Sequence, residues 1–353
     1  MPSGATPPAG IHRVTLCFED GAEREITVAA SELVLDAALR QGVPLVYQCR
    51  SGSCSTCIAQ LAAGDLMMAP DRATSLIQAE TAEGKRLLCS AYARADSVVR
   101  LHYPAALIDH AERRVLTSTV TALECPSPSV ARLTLKLPEQ AGFTFRAGQY
   151  VRIKVPGAAE WRSYSMASAP RELPRMEFLV RIISGGLVSE YLRSGCGVGD
   201  EILVDGPMGA FILHPGGALH VFVAGGTGLA PIMAMLDEIR HRPGRRPSML
   251  LTFGCASERQ FFYREELELR QWWMPELRVI MSADQVDTVE SDLIQGTPIA
   301  ALGDQRFNPD TSAYICGPPP MIEAARRHLR ESGVAADLIY AEQFVASALE
   351  KPH

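Results

Sequence analysis

Four cysteines have the type and spacing for metal chemistry. Cys49, Cys54 and Cys57 fall within Cys49-Arg50-Ser51-Gly52-Ser53-Cys54-Ser55-Thr56-Cys57, and Cys89 follows much later in Leu87-Leu88-Cys89-Ser90. The order C-x4-C-x2-C and then a distant C is the ligand spacing of a [2Fe–2S] cluster. Small residues between the first three let backbone N–H groups approach the sulfurs and stabilise the charge of a reduced cluster. A zinc ion held by four cysteines is the alternative, but such sites usually pair two C-x2-C knuckles and only one is present. An iron–sulfur centre moves one electron at a time and bonds to no substrate, so the remaining chain must supply the source of electrons.

Later stretches carry groups suited to nucleotides. Arg162-Ser163-Tyr164-Ser165 reads as a strand, whose alternation sends Arg162 and Tyr164 to one side and Ser163 and Ser165 to the other. An arginine can grip a phosphate, a tyrosine can cover an aromatic ring, and a serine hydroxyl can meet a polar ring edge. Those four residues alone also suit an ordinary half-exposed strand. Gly185-Gly186-Leu187-Val188-Ser189 is a glycine turn opening a short helix, Leu187 to Arg193, whose N-terminal dipole suits a pyrophosphate. A glycine pair also makes any tight turn.

Gly225-Gly226-Thr227-Gly228 follows an apolar strand, Leu219 to Ala224, and precedes a helix to about Arg240 with Pro231 near its first turn. Glycines there let backbone approach a phosphate, although the run is not the G-x-G-x-x-G fingerprint. Cys316-Gly317-Pro318-Pro319-Pro320-Met321 ends another strand and introduces a helix through Leu329. Ligands of open α/β sheets gather at the carboxyl ends of strands, which predicts Cys316 and Gly225 on one rim. By residue type alone, Cys316 also fits a small buried hydrophobe, and Glu342 a solvated carboxylate.

The elements that position these residues fall into three blocks. Residues 11–101 read as a hairpin (Val14–Phe18 and Glu25–Val28), a helix from Glu32 to Arg40, the cysteine loop, and strands at 58–61 and 97–101. Residues 102–114 lack a sustained period and read as a linker. Residues 115–214 hold short β runs at 115–123, 130–136, 149–155, 162–166 and 176–183, which predict an antiparallel barrel. Residues 215–346 alternate strand and helix, with strands at 219–224, 249–253, 277–281, 312–316 and 339–344, which predicts an α/β unit. Residues 1–10, rich in Pro and Gly, read as a disordered end rather than a signal peptide.

At 353 residues, 47% hydrophobic and 21% charged, the chain suits two or three globular domains. No apolar run approaches the roughly 20 residues needed to span a bilayer, so no membrane partner is expected. A net charge of −6 gives no footprint for nucleic acid. Beyond the four clustered cysteines, Cys17, Cys125, Cys196 and Cys255 read as small buried hydrophobes in a reducing cytoplasm.

The ordered set R-S-Y-S, G-G-x-x-S, G-G-T-G-L-A-P, C-G-P-P-P-M and a terminal E-x-F resembles the ferredoxin–NADP reductase superfamily. With its N-terminal segment, which resembles plant-type [2Fe–2S] ferredoxins, the chain looks like the reductase component of a bacterial multicomponent oxygenase. Where relatives often have Ala-Cys-Gly-Thr-Cys, this chain has Ser53-Cys54-Ser55-Thr56-Cys57. The resemblance implies a β-grasp ferredoxin, an antiparallel flavin-binding β-barrel and a Rossmann-like α/β nucleotide-binding domain, an α+β and α/β multidomain protein. It implies that Arg162 binds an FAD phosphate, that Ser163 and Tyr164 line the flavin, and that Ser165 lies near its N5. Gly185, Gly186 and Ser189 would hold the FAD pyrophosphate. Gly225, Gly226, Thr227 and Gly228 would face the pyridine nucleotide, with Cys316, Gly317, Pro318 and Phe344 around the nicotinamide and flavin. Glu342 would be a polar or proton-handling group, and Ser165, Cys316 and Glu342 the catalytic set.

The implied function is an NADH-dependent reductase passing electrons from NADH through FAD and the cluster to a terminal oxygenase or its ferredoxin. That oxygenase would be a ring-hydroxylating dioxygenase or a di-iron monooxygenase, as in aromatic hydrocarbon catabolism. A stand-alone reductase for another partner, such as a deoxysugar dehydratase, is a second reading. A non-redox nucleotide-binding protein with structural zinc is a third. NADH is favoured over NADPH because Glu258 would repel a 2′-phosphate and could bond a ribose hydroxyl, although Arg259 beside it could serve the phosphate.

Overall fold

The computed structural model describes residues 10–109, 113–287 and 292–344. All but Gly10 of the segment expected to be disordered lies outside them, as do three positions of the expected linker and residues 345–346. The chain divides into two compact units, residues 1–111 and 112–353.

In the first unit, strands β1 (Ile11–Cys17) and β2 (Glu23–Ala29) form the expected hairpin, and Val14, Leu16, Ile26 and Val28 point inward at alternate positions. Helix α1 (Val34–Arg40) buries Val34, Leu35, Ala37 and Ala38. It begins two residues later than the sequence pattern suggests, with Glu32 outside it bonded to Arg40. Strands β3 (Ile58–Ala63), β4 (Leu66–Met68), β5 (Lys85–Leu87), β6 (Ala91–Ala93) and β7 (Ser97–Arg100) follow, with helix α2 at Gln78–Ala82. The main sheet runs β2-β1-β7-β3-β5, with β1 and β7 parallel, which is the β-grasp arrangement, and β4 pairs with β6.

Part of the segment read as a linker belongs to this packing. Tyr103 is buried, its hydroxyl accepts from the Val46 N–H at 3.2 Å, and a short helix α3 (Ala106–Asp109) buries Leu107 and Ile108.

The second unit opens with six antiparallel strands: β8 (Arg114–Ser127), β9 (Val130–Lys136), β10 (Tyr150–Lys154), β11 (Arg162–Ser165), β12 (Arg175–Arg181) and β13 (Glu201–Met208). Their order is β11-β10-β13-β8-β9-β12, and a bridge between Met166 and Phe178 brings the two edges together as a barrel. Strand β13 escapes the sequence reading because Asp205, Gly206 and Pro207 interrupt its apolar period. Asp205 is nonetheless buried, held by Arg113 at 2.5 Å and Arg152 at 2.5 Å. Burial alone would raise that carboxyl, but the two guanidinium groups hold it below the usual range.

Helix α4 (Leu187–Ser194) packs beside the barrel. The remaining strands are β14 (Leu219–Gly225), β15 (Ser248–Ser257), β16 (Leu277–Gln285), β17 (Ile294–Gln295), β18 (Ser312–Gly317) and β19 (Ile339–Gln343). They form one parallel sheet, β17-β16-β15-β14-β18-β19, carrying helices α5 (Leu229–His241), α6 (Arg264–Trp273) and α7 (Pro319–Glu331). One core joins barrel and sheet: Ala167, Leu179, Phe211 and Leu213 of the former pack with Phe222, Met235 and Tyr314 of the latter. Among the described residues no helix is long and apolar enough to cross a membrane.

Candidate active site and cluster-binding loop

The cysteine loop turns sharply because three of its residues adopt left-handed backbone: Arg50 (φ 53°), Gly52 (φ 84°) and Ser55 (φ 60°). At Gly52 only a bare Cα fits, since a Cβ would stand 1.9 Å from the Ala73 carbonyl oxygen. Cys54, Cys57 and Cys89 are buried and Cys49 is half-buried. The Ser51 N–H donates to Cys49 Sγ at 3.4 Å and the Cys89 N–H to Cys57 Sγ at 3.5 Å, the backbone approach expected of small loop residues.

The thiols themselves converge. Hydrogen bonds from Cys54 and Cys89 hold the Cys49 thiol well down, and one from Cys89 does the same at Cys57. Donating to Cys49 pushes Cys54 and Cys89 up. Four sulfurs sharing protons in this way are a donor set that deprotonates when metal binds. Among the described residues no three His, Cys, Asp or Glu side chains form the shell of one metal ion. A [2Fe–2S] cluster shares four cysteine sulfurs between two irons.

In the second unit, Ser165 at the end of β11 donates from Oγ to Glu342 Oε2 at 2.9 Å, and both residues are buried. This bond joins a barrel strand to the parallel sheet. Cys316, fully buried at the end of β18, stands opposite Glu342 on β19 and Ala224 on β14. Burial pushes Glu342 up to about 8, and the Ser165 hydroxyl only partly offsets it. Burial, with Glu342 adjacent, also drives the Cys316 thiol well above its ordinary value, so it stays an uncharged S–H.

The glycine turn after β14 is pressed against the same rim. A Cβ on Gly228 would stand 2.2 Å from the Cys316 carbonyl oxygen, and one on Gly225 would stand 2.5 Å from Met321 Sδ and 3.2 Å from Pro318 Cδ. Gly226 takes φ 54° and Thr227 is half-buried beside it. The Phe344 N–H donates to the Gly317 carbonyl at 3.1 Å, which ties the end of β19 to the Cys316–Pro318 turn. The structure thus brings together Ser165, Glu342, Cys316, Gly317, Pro318, Phe344 and the four residues Gly225–Gly228.

Arg162 and Tyr164 lie half-buried on the other side of β11 from Ser165, and Ser163 is exposed. Tyr164 packs against the barrel core, and Arg162 donates to the Trp161 carbonyl at 2.9 Å. The Gly185–Ser189 turn is a further feature of the barrel. Gly185 takes φ 70° and its N–H donates to Glu190 Oε1 at 3.1 Å. Ser189 Oγ donates to the Arg181 carbonyl at 3.3 Å and accepts from the Ile183 N–H at 3.1 Å. That hydroxyl shapes the turn, and its single proton is engaged by backbone. Gly186 caps α4, and a Cβ there would meet Ile183 Cγ1 at 2.6 Å.

Three residues near Glu342 carry no motif in the sequence. Gly209 (φ 95°) brings backbone beside Tyr150, and a Cβ on it would lie 2.9 Å from the Tyr150 ring and 3.7 Å from Glu342 Oε1. Gln149 Nε2 donates to the Gly209 carbonyl at 3.1 Å and fixes that approach. The one available signal is the Gly209 that directly follows the end of β13.

Family models match in three consecutive stretches: a 2Fe-2S iron-sulfur cluster binding domain over residues 17–94, an oxidoreductase FAD-binding domain over 117–212 and an oxidoreductase NAD-binding domain over 222–327. The anthranilate 1,2-dioxygenase electron transfer component of Acinetobacter baylyi is 32% identical, covering 96% of this chain and 99% of its own. The propane 2-monooxygenase reductase component of Rhodococcus jostii is 32% identical, covering 98% and 94%. A solved structure of the Amycolatopsis cytochrome P450 reductase GcoB covers 94% of this chain and 98% of its own, with a TM-score of 0.67 and 27% identity. Likeness along nearly the whole of both chains, rather than over a single domain, decides the assignment: this protein belongs to the iron–sulfur flavoprotein reductases, nicotinamide-dependent oxidoreductases that carry electrons through FAD and a [2Fe–2S] cluster as the reductase components of oxygenases.

Proposed function

We propose that this reductase oxidises NADH in the cytoplasm and delivers single electrons to the terminal oxygenase of a multicomponent system, or to that oxygenase's ferredoxin. The observation that carries the residue assignments is the 2.9 Å bond from Ser165 on the barrel to Glu342 on the nucleotide sheet, beside Cys316. A flavin held by the barrel and a nicotinamide held by the sheet would meet where those two parts touch. When bound, FAD takes two electrons together from the nicotinamide and the cluster passes them on singly.

This chain's own residues then have distinct tasks. Ser165 orients the Glu342 carboxyl, which keeps its proton at neutral pH because of burial and can hold it near the flavin. Cys316 offers a small uncharged surface beside the nicotinamide and excludes water. The turn from Gly225 to Gly228 admits the nucleotide phosphates to backbone, and Arg162, Ser163, Tyr164, Gly185 and Gly186 line the FAD site. Ser189 supports the last of these turns through its backbone bonds. Cys49, Cys54, Cys57 and Cys89 hold the cluster.

The preference for NADH is supported beyond β15. Arg259 is paired with Asp287 at 2.8 Å, and the Asp287 N–H donates to Glu258 Oε2 at 3.0 Å. Arg259 is thus matched by a carboxylate, and Glu258 and Asp287 together put negative charge beside it, which disfavours a 2′-phosphate there. The partner is an oxygenase because the relatives alike over their full length serve dioxygenases and monooxygenases.

The test compares two acceptors. NADH is expected to reduce cytochrome c far faster than NADPH does. Cys89→Ser is expected to abolish cytochrome c reduction while leaving reduction of ferricyanide, which takes electrons from flavin directly. Cytochrome c reduction unchanged in Cys89→Ser would contradict the assigned path.

A further inference from the structure

The segment Ala69–Ser75 crosses the cysteine loop and is bonded to both of its halves. The Ala69 N–H donates to the Ser90 carbonyl at 2.7 Å, and the Ser75 N–H donates to the Gly52 carbonyl at 2.9 Å. Ser55 Oγ donates to Ser75 Oγ at 2.7 Å. Between these anchors, Arg72 Nη1 donates to the carbonyl of Arg50 at 2.9 Å and to that of Cys89 at 2.9 Å. One guanidinium nitrogen therefore ties the turn that follows the first cysteine to the turn that carries the fourth.

Among the described residues no anion matches the charge on Arg72, whereas the other arginine of the loop, Arg50, is paired with Asp36. The partners of Arg72 are the carbonyls of Arg50 and Cys89, which hold the guanidinium against the backbone of a cluster ligand while the side chain stays solvent-exposed. A reduced cluster carries one more negative charge than an oxidised one, and a nearby cation favours the reduced form. Hydrogen bonds around ligand sulfurs and the charge beside them are the protein's means of setting such a potential.

We propose that Arg72 is a positioning residue for the [2Fe–2S] centre: it fixes the Cys89 segment against the Cys49 segment, and its charge holds the cluster potential up so that flavin can reduce it. The proposal rests on the electron path above. It assigns a role in that path to a residue outside the ligand motif.

The test uses the full-length protein carrying FAD and cluster, with Arg72→Met and Arg72→Lys, and reads the cluster by EPR-monitored redox titration and by loss of its visible absorbance to a chelator. In Arg72→Met the ratio of reduced to oxidised cluster at the wild-type midpoint potential is expected to fall roughly fivefold, the size of one largely solvent-screened charge removed at several ångströms. It should also release iron several-fold faster. Arg72→Lys, which keeps the charge, is expected to recover the potential. A potential unchanged in Arg72→Met overturns the proposal, whatever the release rate. If that variant accumulates without a cluster, Arg72→Gln against Arg72→Lys decides in the same way: equal potentials overturn it. A wild-type protein with no reduced-cluster signal would fail the electron path itself, before any variant is compared.

Discussion

Ser165 and Glu342 lie 177 positions apart in the chain, yet their side chains meet at 2.9 Å in a buried contact. Because burial pushes Glu342 up to about 8, the folded protein binds its proton more tightly than the unfolded chain does. Its burial therefore carries no ionisation penalty below the ordinary carboxyl range and lowers stability progressively as pH rises towards 8, by up to about 5 kcal/mol. Glu342→Gln is expected to be more stable than wild type in urea at pH 8 and not at pH 4. An equal difference at both values would show that the carboxyl titrates normally. At the same scale, Cys316→Ala and Ser165→Ala are expected to retain FAD but slow its reduction by NADH about tenfold or more in stopped-flow, as loss of positioning does. An unchanged rate in both would remove them from the site.

Short elements position these groups, and glycines decide where they bend. Gly228→Ala would drive a methyl group into the Cys316 carbonyl, 2.2 Å from the added Cβ, so it is expected to raise the KM for NADH steeply with FAD content intact. Gly185→Ala meets nothing within 4 Å and carries only the strain of φ 70°, about 1 kcal/mol, and is expected to weaken FAD retention slightly. Comparing the two by FAD content and steady-state kinetics separates crowding from strain.

The elements with a clean period were legible in the sequence: the first hairpin, β9, α4 and the apolar run of β14 stand where their patterns put them. Strands β4, β5 and β6 have three residues each, too few to show alternation. Helix α6 is not legible because its sequence, Arg264-Glu265-Glu266-Leu267-Glu268-Leu269-Arg270-Gln271-Trp272-Trp273, buries only Leu267 and shows no apolar stripe. At the site, the residues in glycine and cysteine motifs could be named from sequence. Gly209, Gln149 and Arg72 could not, because their importance comes from what distant backbone brings beside them.

For the second unit as a whole, barrel and nucleotide sheet share a core and a polar contact at their boundary. Tyr263, held in left-handed backbone at φ 61°, donates from its hydroxyl to Glu177 Oε1 at 2.6 Å, and Arg132 lies over its ring with 5.6 Å to the centroid. A hydrogen bond to a charged group is worth about 1.5–3 kcal/mol. Tyr263→Phe is therefore expected to lower the unfolding midpoint and modestly slow flavin reduction without loss of FAD. An unchanged melting curve by calorimetry would show that the Tyr263–Glu177 contact does not help to hold the two parts together.

On the proposed path, electrons enter as a pair and leave singly through the four-cysteine centre. The most direct measurement is an anaerobic visible spectrum of the purified protein before and after one equivalent of NADH, followed by low-temperature EPR. Flavin and iron–sulfur bands are expected to bleach together and a reduced [2Fe–2S] signal to appear, lost in Cys89→Ser. Flavin bleaching with no cluster signal would contradict the proposed path, because Cys49, Cys54, Cys57 and Cys89 would then lie off it.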